Sequence, residues 1–223
     1  MQKETSTSFF STYLKQFFLE LLAPAHCVIC EKKLYNSEFI CEDCFDRIEF
    51  NEYPLIFHEE MIYYYGITKY KGVMEEVIKK FKFQNYKVLS KKLGDMVIDF
   101  AKKENIHFDM IGFIPMTKKE LFERGYNQTF FIAKDVSQKT GVPILKNIFK
   151  VKETQRQSKL SKKEREENIK GAFIVKDEAI KDKDVLIVDD VYTTGNTARE
   201  ISKSFKKNRC KNIYFVALAQ TLD

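Results

Sequence analysis

Two groups of residues in this chain have types and spacings that do chemistry. The first is VLIVDDVYTTGNTA, residues 185–198, where four apolar residues run into adjacent carboxylates, Asp189 and Asp190, and then into Thr193, Thr194, Gly195, Asn196 and Thr197. The second is a set of four cysteines, Cys27, Cys30, Cys41 and Cys44, arranged as two Cys-x2-Cys pairs with ten residues between them.

An apolar run such as Val185–Val188 fits a strand buried on both faces of a parallel sheet. Ligands of open parallel sheets bind beyond the carboxyl ends of the strands, and this reading projects Asp189 and Asp190 at that edge. Thr193 to Asn196 then form a tight loop, and a helix starts near Thr197. Gly195 permits φ > 0 and lets a ligand approach the backbone. The amino end of the helix offers unpaired N–H groups and the positive end of a dipole, a place for a phosphate. Threonine hydroxyls add donors, and the acceptor-only carboxylates can take hydrogen bonds from paired hydroxyls. A ribose 5-phosphate presents both kinds of group. Repulsion between the acids is relieved by donors or by a bound Mg²⁺. The plainer alternative is that Asp-Asp opens a loop and Thr-Thr-Gly caps a helix. A Gly-x4-Gly-Lys-Ser/Thr loop and a Gly-x-Gly-x-x-Gly fingerprint are both absent from the sequence, so the motif is neither a P-loop nor a dinucleotide site.

Four thiolates in two knuckles suit a tetrahedral, structural Zn²⁺, whose shell they would close. About 26 residues, 25–50, cannot build a core by themselves, so a metal staple is expected. His26 is adjacent and could substitute for a thiolate. Cys210 lies among Lys206, Lys207 and Arg209, with no second cysteine placed to form a redox pair.

The elements that position these groups fall into three parts: residues 1–24, 25–50 and 60–223. The first carries Phe10, Tyr13, Phe17, Phe18, Leu21 and Leu22 at helical spacing and ends at Pro24, an amphipathic helix expected to pack on the chain's own body. The third alternates apolar strands with helices. Ile62–Tyr65 and Thr68–Tyr70 suggest a short hairpin about Gly66. Gly72–Phe83 and Tyr86–Lys102 show helical periodicity. Met110–Ile114 reads as a strand stopped by Pro115. Asn127–Lys139 reads as a helix with Phe130, Phe131 and Val136 inward, and Ile213–Ala219 as a further strand. Together these predict an α/β domain with a mostly parallel sheet covered on both faces.

The 223 residues carry 44% hydrophobic and 31% charged residues, ordinary values for a globular protein. No apolar run reaches the roughly 18 residues of a membrane helix, and no secretory signal is visible. The expected compartment is the cytosol, with association at the inner face of the membrane left open. The net charge of +6 is concentrated: residues 146–170 carry +5 and residues 199–211 another +5, against a slightly acidic remainder. Such segments form a phosphate-attracting surface if they meet in space and are otherwise solvated faces.

The sequence resembles the competence protein F (ComF) family, ComFC type, within the type I phosphoribosyltransferases. The resemblance rests on VLIVDDVYTTGNT, on CVIC and CEDC near the N-terminus, on ERGYNQ at 123–128, and on KETQRQSKLSKKEREENIKGAF at 152–173. In the last segment Thr154, Gln157, Leu160, Arg165, Asn168, Gly171 and Phe173 match the family's Thr-x2-Gln-x2-Leu-x4-Arg-x2-Asn-x2-Gly-x-Phe signature. The resemblance implies a doubly wound type I phosphoribosyltransferase-like domain with a small N-terminal four-cysteine, zinc ribbon-like module. It implies that phosphoribosyl pyrophosphate binds with Mg²⁺ at Asp189, Asp190 and the Thr193–Thr197 loop. Pro115, Met116, Thr117 and Lys118 would form the diphosphate loop, and Arg124 would face the same site. It also implies a mobile loop whose Lys159, Lys162, Lys163 and Arg165 contact anions or DNA. The function implied is DNA uptake in natural transformation, with single-stranded DNA and DNA-uptake proteins as partners and Tyr126, Tyr192 and Phe173 as candidates to stack on bases. The alternative is an active phosphoribosyltransferase that releases diphosphate onto an unknown acceptor, with Asp189 and Asp190 stabilising positive charge at the ribose.

Overall fold

The computed structural model describes residues 26–34, 39–154 and 167–221. The expected N-terminal helix and the residues Lys159, Lys162, Lys163 and Arg165 lie outside them. The chain divides into two compact units between Arg47 and Ile48. Among the described residues, no helix is long and apolar enough to cross a membrane.

In the smaller unit, Cys27–Cys30 forms a turn and α1 (Glu42–Phe45) follows Cys41, with Cys27, Cys41 and Cys44 buried. The larger unit is built on a five-stranded sheet. Its strands are β1 (Leu55–Glu59), β2 (Ile62–Lys69), β3 (Met110–Phe113), β6 (Asp184–Tyr192) and β7 (Asn212–Gln220), in the order β1-β2-β7-β6-β3. β2, β7, β6 and β3 run parallel, and β1 closes one edge antiparallel. Residues of β6 and β7 are buried on both faces, as a central parallel strand requires.

The helices sort onto the two faces by strand alternation. Val185, Ile187, Ile213, Phe215 and Ala217 share a cluster with Ala198, Ile201 and Phe205 of α6 (Asn196–Lys207). The intervening residues Leu186, Val188, Val216 and Leu218 face the opposite way. That side is covered by α2 (Gly72–Phe83), α3 (Leu89–Lys103) and α5 (Gln128–Thr140), of which α5 packs on β3 and β6. A short helix, α4 (Lys118–Arg124), follows β3. A two-stranded antiparallel ribbon, β4 (Ile148–Lys150) with β5 (Phe173–Val175), brackets the basic segment between them, and the buried carboxylate of Glu200 on α6 accepts from the Gly171 N–H at 2.7 Å.

Three details differ from the sequence expectations. β2 runs straight through Gly66 and turns back at Glu60–Met61 instead. Gly66 lies against Gln220 of β7: a Cβ there would stand 3.1 Å from the Gln220 Cβ and displace the end of that side chain. On α5 the buried stripe is Thr129, Ile132, Ala133 and Val136, and Phe130 and Phe131 flank it, half-buried against Phe113 and Tyr126. Finally, β6 continues past Val188 to Tyr192, so both aspartates lie within the strand.

Ile187 is fully buried between β3 and β7. Ile187→Ala is expected to cost about 2–5 kcal/mol, read as a lower urea midpoint at an unchanged slope.

Candidate functional site

Because β6 extends through the motif, the period of two sends the adjacent carboxylates to opposite faces. Asp189 accepts from the Tyr64 hydroxyl at 2.6 Å, on the α6 face. Its other oxygen takes the Asp190 N–H at 2.8 Å; the β3 ladder has already ended at Phe113–Val188. Asp190 turns to the other face, where Lys82 of α2 lies 2.7 Å from Oδ1 and Gln128 of α5 donates to Oδ2 at 2.6 Å. Both carboxyl groups are more than nine-tenths buried or nearly so. Each oxygen has one protein donor and retains lone-pair capacity for another.

The electrostatics follow from burial. Desolvation and then the neighbouring Asp190 charge push Asp189 up to about 7, against the lowering effects of the Tyr64 hydrogen bond and Lys82. Burial and the Asp189 charge push Tyr64 well above the ordinary tyrosine range, so it stays a donor. The pair therefore does not carry two uncompensated charges: Asp190 has the Lys82 ammonium, and Asp189 shares its site with a proton near neutrality.

The segment 123–128 serves this edge of the sheet. Asn127 caps α5 by accepting from Phe130 N–H, and its amide donates to the Ile114 carbonyl at 2.9 Å; Thr129 Oγ1 donates to the same carbonyl. These bonds fix the turn at the end of β3. Arg124 donates to Gln128 Oε1 at 3.1 Å and stacks over Phe83, so it reaches Asp190 through Gln128. The register Phe113↔Val188 sets Pro115–Lys118 and the aspartates at one carboxyl edge. Pro115 and Thr117 are buried, Met116 is half-buried and Lys118 exposed. The Thr117 N–H is already taken: Thr117 and Glu120 form a reciprocal capping box, and Glu120 also pairs with Lys150.

Beyond Tyr192, Gly195 has φ 73° and opens α6 with no side-chain cap. A Cβ on it would stand 3.1 Å from Tyr192 and 3.3 Å from Phe57, so those rings would have to give by a few tenths of an ångström, on top of the positive φ that favours glycine. Asn196, the first residue of α6, is buried, and its Nδ2 has no hydrogen-bond partner among the described residues. Thr193 is exposed, Thr194 and Thr197 half-buried. Of the expected stacking residues, Phe173 is core, Tyr192 packs on Tyr64, and Tyr126 is buried with its hydroxyl unpartnered. Tyr64 and Lys82 escaped the sequence reading. Only their strand and helix periods hinted that they reach the sheet, and nothing local says which carboxylate they meet.

In the smaller unit the sulfurs of Cys27, Cys30, Cys41 and Cys44 lie within 4.8 Å of one another, and all four are free of disulfides. The Cys30–Cys41 separation of 3.6 Å is close to the edge of about 3.8 Å of a tetrahedron with metal–sulfur bonds of about 2.3 Å. Burial raises the Cys27 thiol, but backbone N–H groups outweigh it and hold it down to about 6; burial pushes Cys44 up to about 12. Arg47 donates to the Cys44 sulfur at 3.0 Å. The donor set fits one tetrahedral metal ion.

Residues 77–223 match a family described as "PRTase ComF-like", PRTase denoting phosphoribosyltransferase. Competence protein F of Haemophilus influenzae is 35% identical over 162 residues, 69% of this chain and 71% of that protein. Competence protein ComFC of Bacillus subtilis is 25% identical over 174 residues, 77% and 67% of the two chains. The DNA utilization protein YhgH of Salmonella typhi is 30% identical over 115 residues, which span 51% of this chain and half of that protein.

The groups acting on Asp189 are Tyr64 from β2, the adjacent Asp190, and the Lys82 charge from α2. Its folded pKa of about 7 stands above an unfolded value of about 3.9, so the native state binds more protons between them and stability falls as pH rises through that window. Asp189→Asn should flatten thermal stability between about pH 4 and 7 and raise the melting temperature at pH 8 relative to wild type. Parallel profiles for the two proteins would contradict the raised carboxyl.

Proposed function

The chain belongs to the ComF-like phosphoribosyltransferase family, and from that membership we propose that it binds phosphoribosyl pyrophosphate with Mg²⁺ at the carboxyl edge of β3 and β6 and handles single-stranded DNA in a competence-related role. The observation that carries the sugar-phosphate reading is Asn196: a buried amide whose Nδ2 has no partner among the described residues, at the first turn of a 12-residue helix that follows the strand of the two buried carboxylates. A buried donor without an acceptor is costly, and a 5′-phosphate on the Thr193–Thr197 loop supplies one where the helix dipole also favours an anion.

In this reading the ribose hydroxyls take the remaining lone pairs of Asp189 and Asp190, while Tyr64, Lys82 and Gln128 hold those carboxylates in place. Lys118 and Arg124 lie on the diphosphate side. Mg²⁺ prefers phosphate oxygens and retained water to an all-protein cage, so it would arrive on the diphosphate and neutralise its charge. The relatives' names, competence protein and DNA utilization protein, support the DNA role, with the basic segments at 146–170 and 199–211 as the attracting charge and DNA-uptake proteins as partners. The four-cysteine unit holds Zn²⁺ as a structural ion, its shell closed by protein.

Isothermal titration with phosphoribosyl pyrophosphate and Mg²⁺ should show saturable heat. Asn196→Ala should weaken binding by roughly tenfold, the worth of one strong hydrogen bond, and the Asp189→Asn/Asp190→Asn protein should not bind measurably. No heat from the wild-type protein would remove the reading. Diphosphate release with some acceptor, lost in the double variant, would add turnover to binding.

Elemental analysis should find one zinc per chain. Cys44→Ser should lose it and lower the melting temperature; a metal-free wild-type protein of equal stability would contradict the staple.

A further inference from the structure

A cavity of about 760 Å³ opens beside the end of β3, between α4, α5 and the β4–β5 ribbon, and none of the residues of the Asp189–Thr197 motif lines it. Its walls carry five aromatic side chains, Phe113, Tyr126, Phe130, Phe131 and Phe149. They carry four lysines, Lys87, Lys118, Lys150 and Lys176, and no acidic residue. Lys150 is paired with Glu120, whereas Lys118 and Lys176 have no carboxylate partner among the described residues. Lys87 Nζ sits 5.0 Å from the centre of the Tyr126 ring and 5.6 Å from that of Phe131. Tyr126 itself is 5% exposed, and its hydroxyl has no hydrogen-bond partner among the described residues. Phe149 and Val151 on the ribbon stand 43% and 55% exposed at the mouth.

A ring-walled cavity with an unmatched cationic rim fits a flat aromatic group that carries negative charge on a flexible tether. An aliphatic ligand would leave the lysines without counterions. We infer that this cavity takes a base of a single-stranded nucleic acid, stacked among Phe149, Phe130 and Phe131, with the flanking phosphates on Lys118 and Lys176 and a base-edge acceptor for the Tyr126 hydroxyl. Stacking on aromatics together with a basic track is how single strands are held without sequence preference. The inference rests on the proposed single-strand binding and adds its place. Pro115, Met116 and Lys118 belong both to this cavity and to the loop on the diphosphate side, so a strand seated here passes directly by the sugar-phosphate site.

The test is a fluorescence-anisotropy titration of a labelled dT oligomer of roughly 16 nucleotides with the full chain and its Phe149→Ala and Lys176→Glu variants. Binding of phosphoribosyl pyrophosphate with Mg²⁺, followed by thermal shift, should be unchanged in both variants and shows that they are folded. Phe149→Ala is expected to weaken the oligomer by roughly ten- to hundredfold. Lys176→Glu should lower the slope of log affinity on log salt by about 0.7 or more. An oligomer with abasic sites throughout should bind like the Phe149→Ala pair. If wild type binds the oligomer and both variants bind it equally well, with the loss confined to a Lys159→Glu/Lys162→Glu/Lys163→Glu protein, the cavity is not the site. Equal binding of the abasic oligomer, or its displacement by an acidic peptide or anionic lipid vesicles but not by oligonucleotide, also overturns it. If wild type binds no single strand at all, the proposed DNA role fails first.

Discussion

Two adjacent carboxylates inside a buried strand are the constraint to which the large unit answers. Neither can leave the sheet, because Val185–Val188 before them and Ala217–Ala219 beside them fix the strand. Burial alone disfavours their ionised forms. The structure meets this by splitting the pair. Asp190 receives a cation and an amide from the helices on one face, Lys82 and Gln128. Asp189 receives a phenol from the neighbouring strand on the other face. Tyr64 is in turn packed between Phe57, Tyr192 and Phe215, so the hydroxyl that steadies Asp189 is itself fixed by ring packing.

The same constraint explains the segment Glu123–Gln128. Its first two residues end the seven-residue α4, and it supplies a positive-φ turn at Gly125, a cap at Asn127 and an amide at Gln128. One short stretch thus ends α4, starts α5, ties down the Ile114 carbonyl and reaches Asp190 on β6, the strand next to β3. Arg124 contributes through Gln128 and the Phe83 ring. The positive charge expected of it at the site is held one residue back from the carboxylates.

The small unit solves a different problem by different means. Its α1 has only four residues, of which Cys44 is the buried one. N–H donors point at two of its sulfurs, Cys41 N–H at Cys27 and Arg47 at Cys44, and each favours the thiolate there against the effect of burial.

Much of this was legible in the chain itself. An apolar run before Asp-Asp gave the central strand, Gly195 the start of α6, and two Cys-x2-Cys pairs the cluster, because each is a local signal with a fixed spacing. The hairpin about Gly66 was misread because a glycine set by a neighbour's approach looks, in one dimension, like a glycine set by a turn. β4 and β5 have three residues each, too short to show a period. What only the tertiary structure decided is the company each site residue keeps. Tyr64 lies 125 positions from Asp189 and Gln128 62 positions from Asp190, and no local pattern ties such pairs together. Composition and spacing determine which side chains stand on which face of a strand or helix; the crossing of helices over the sheet determines which of them share a proton, a charge or a cavity.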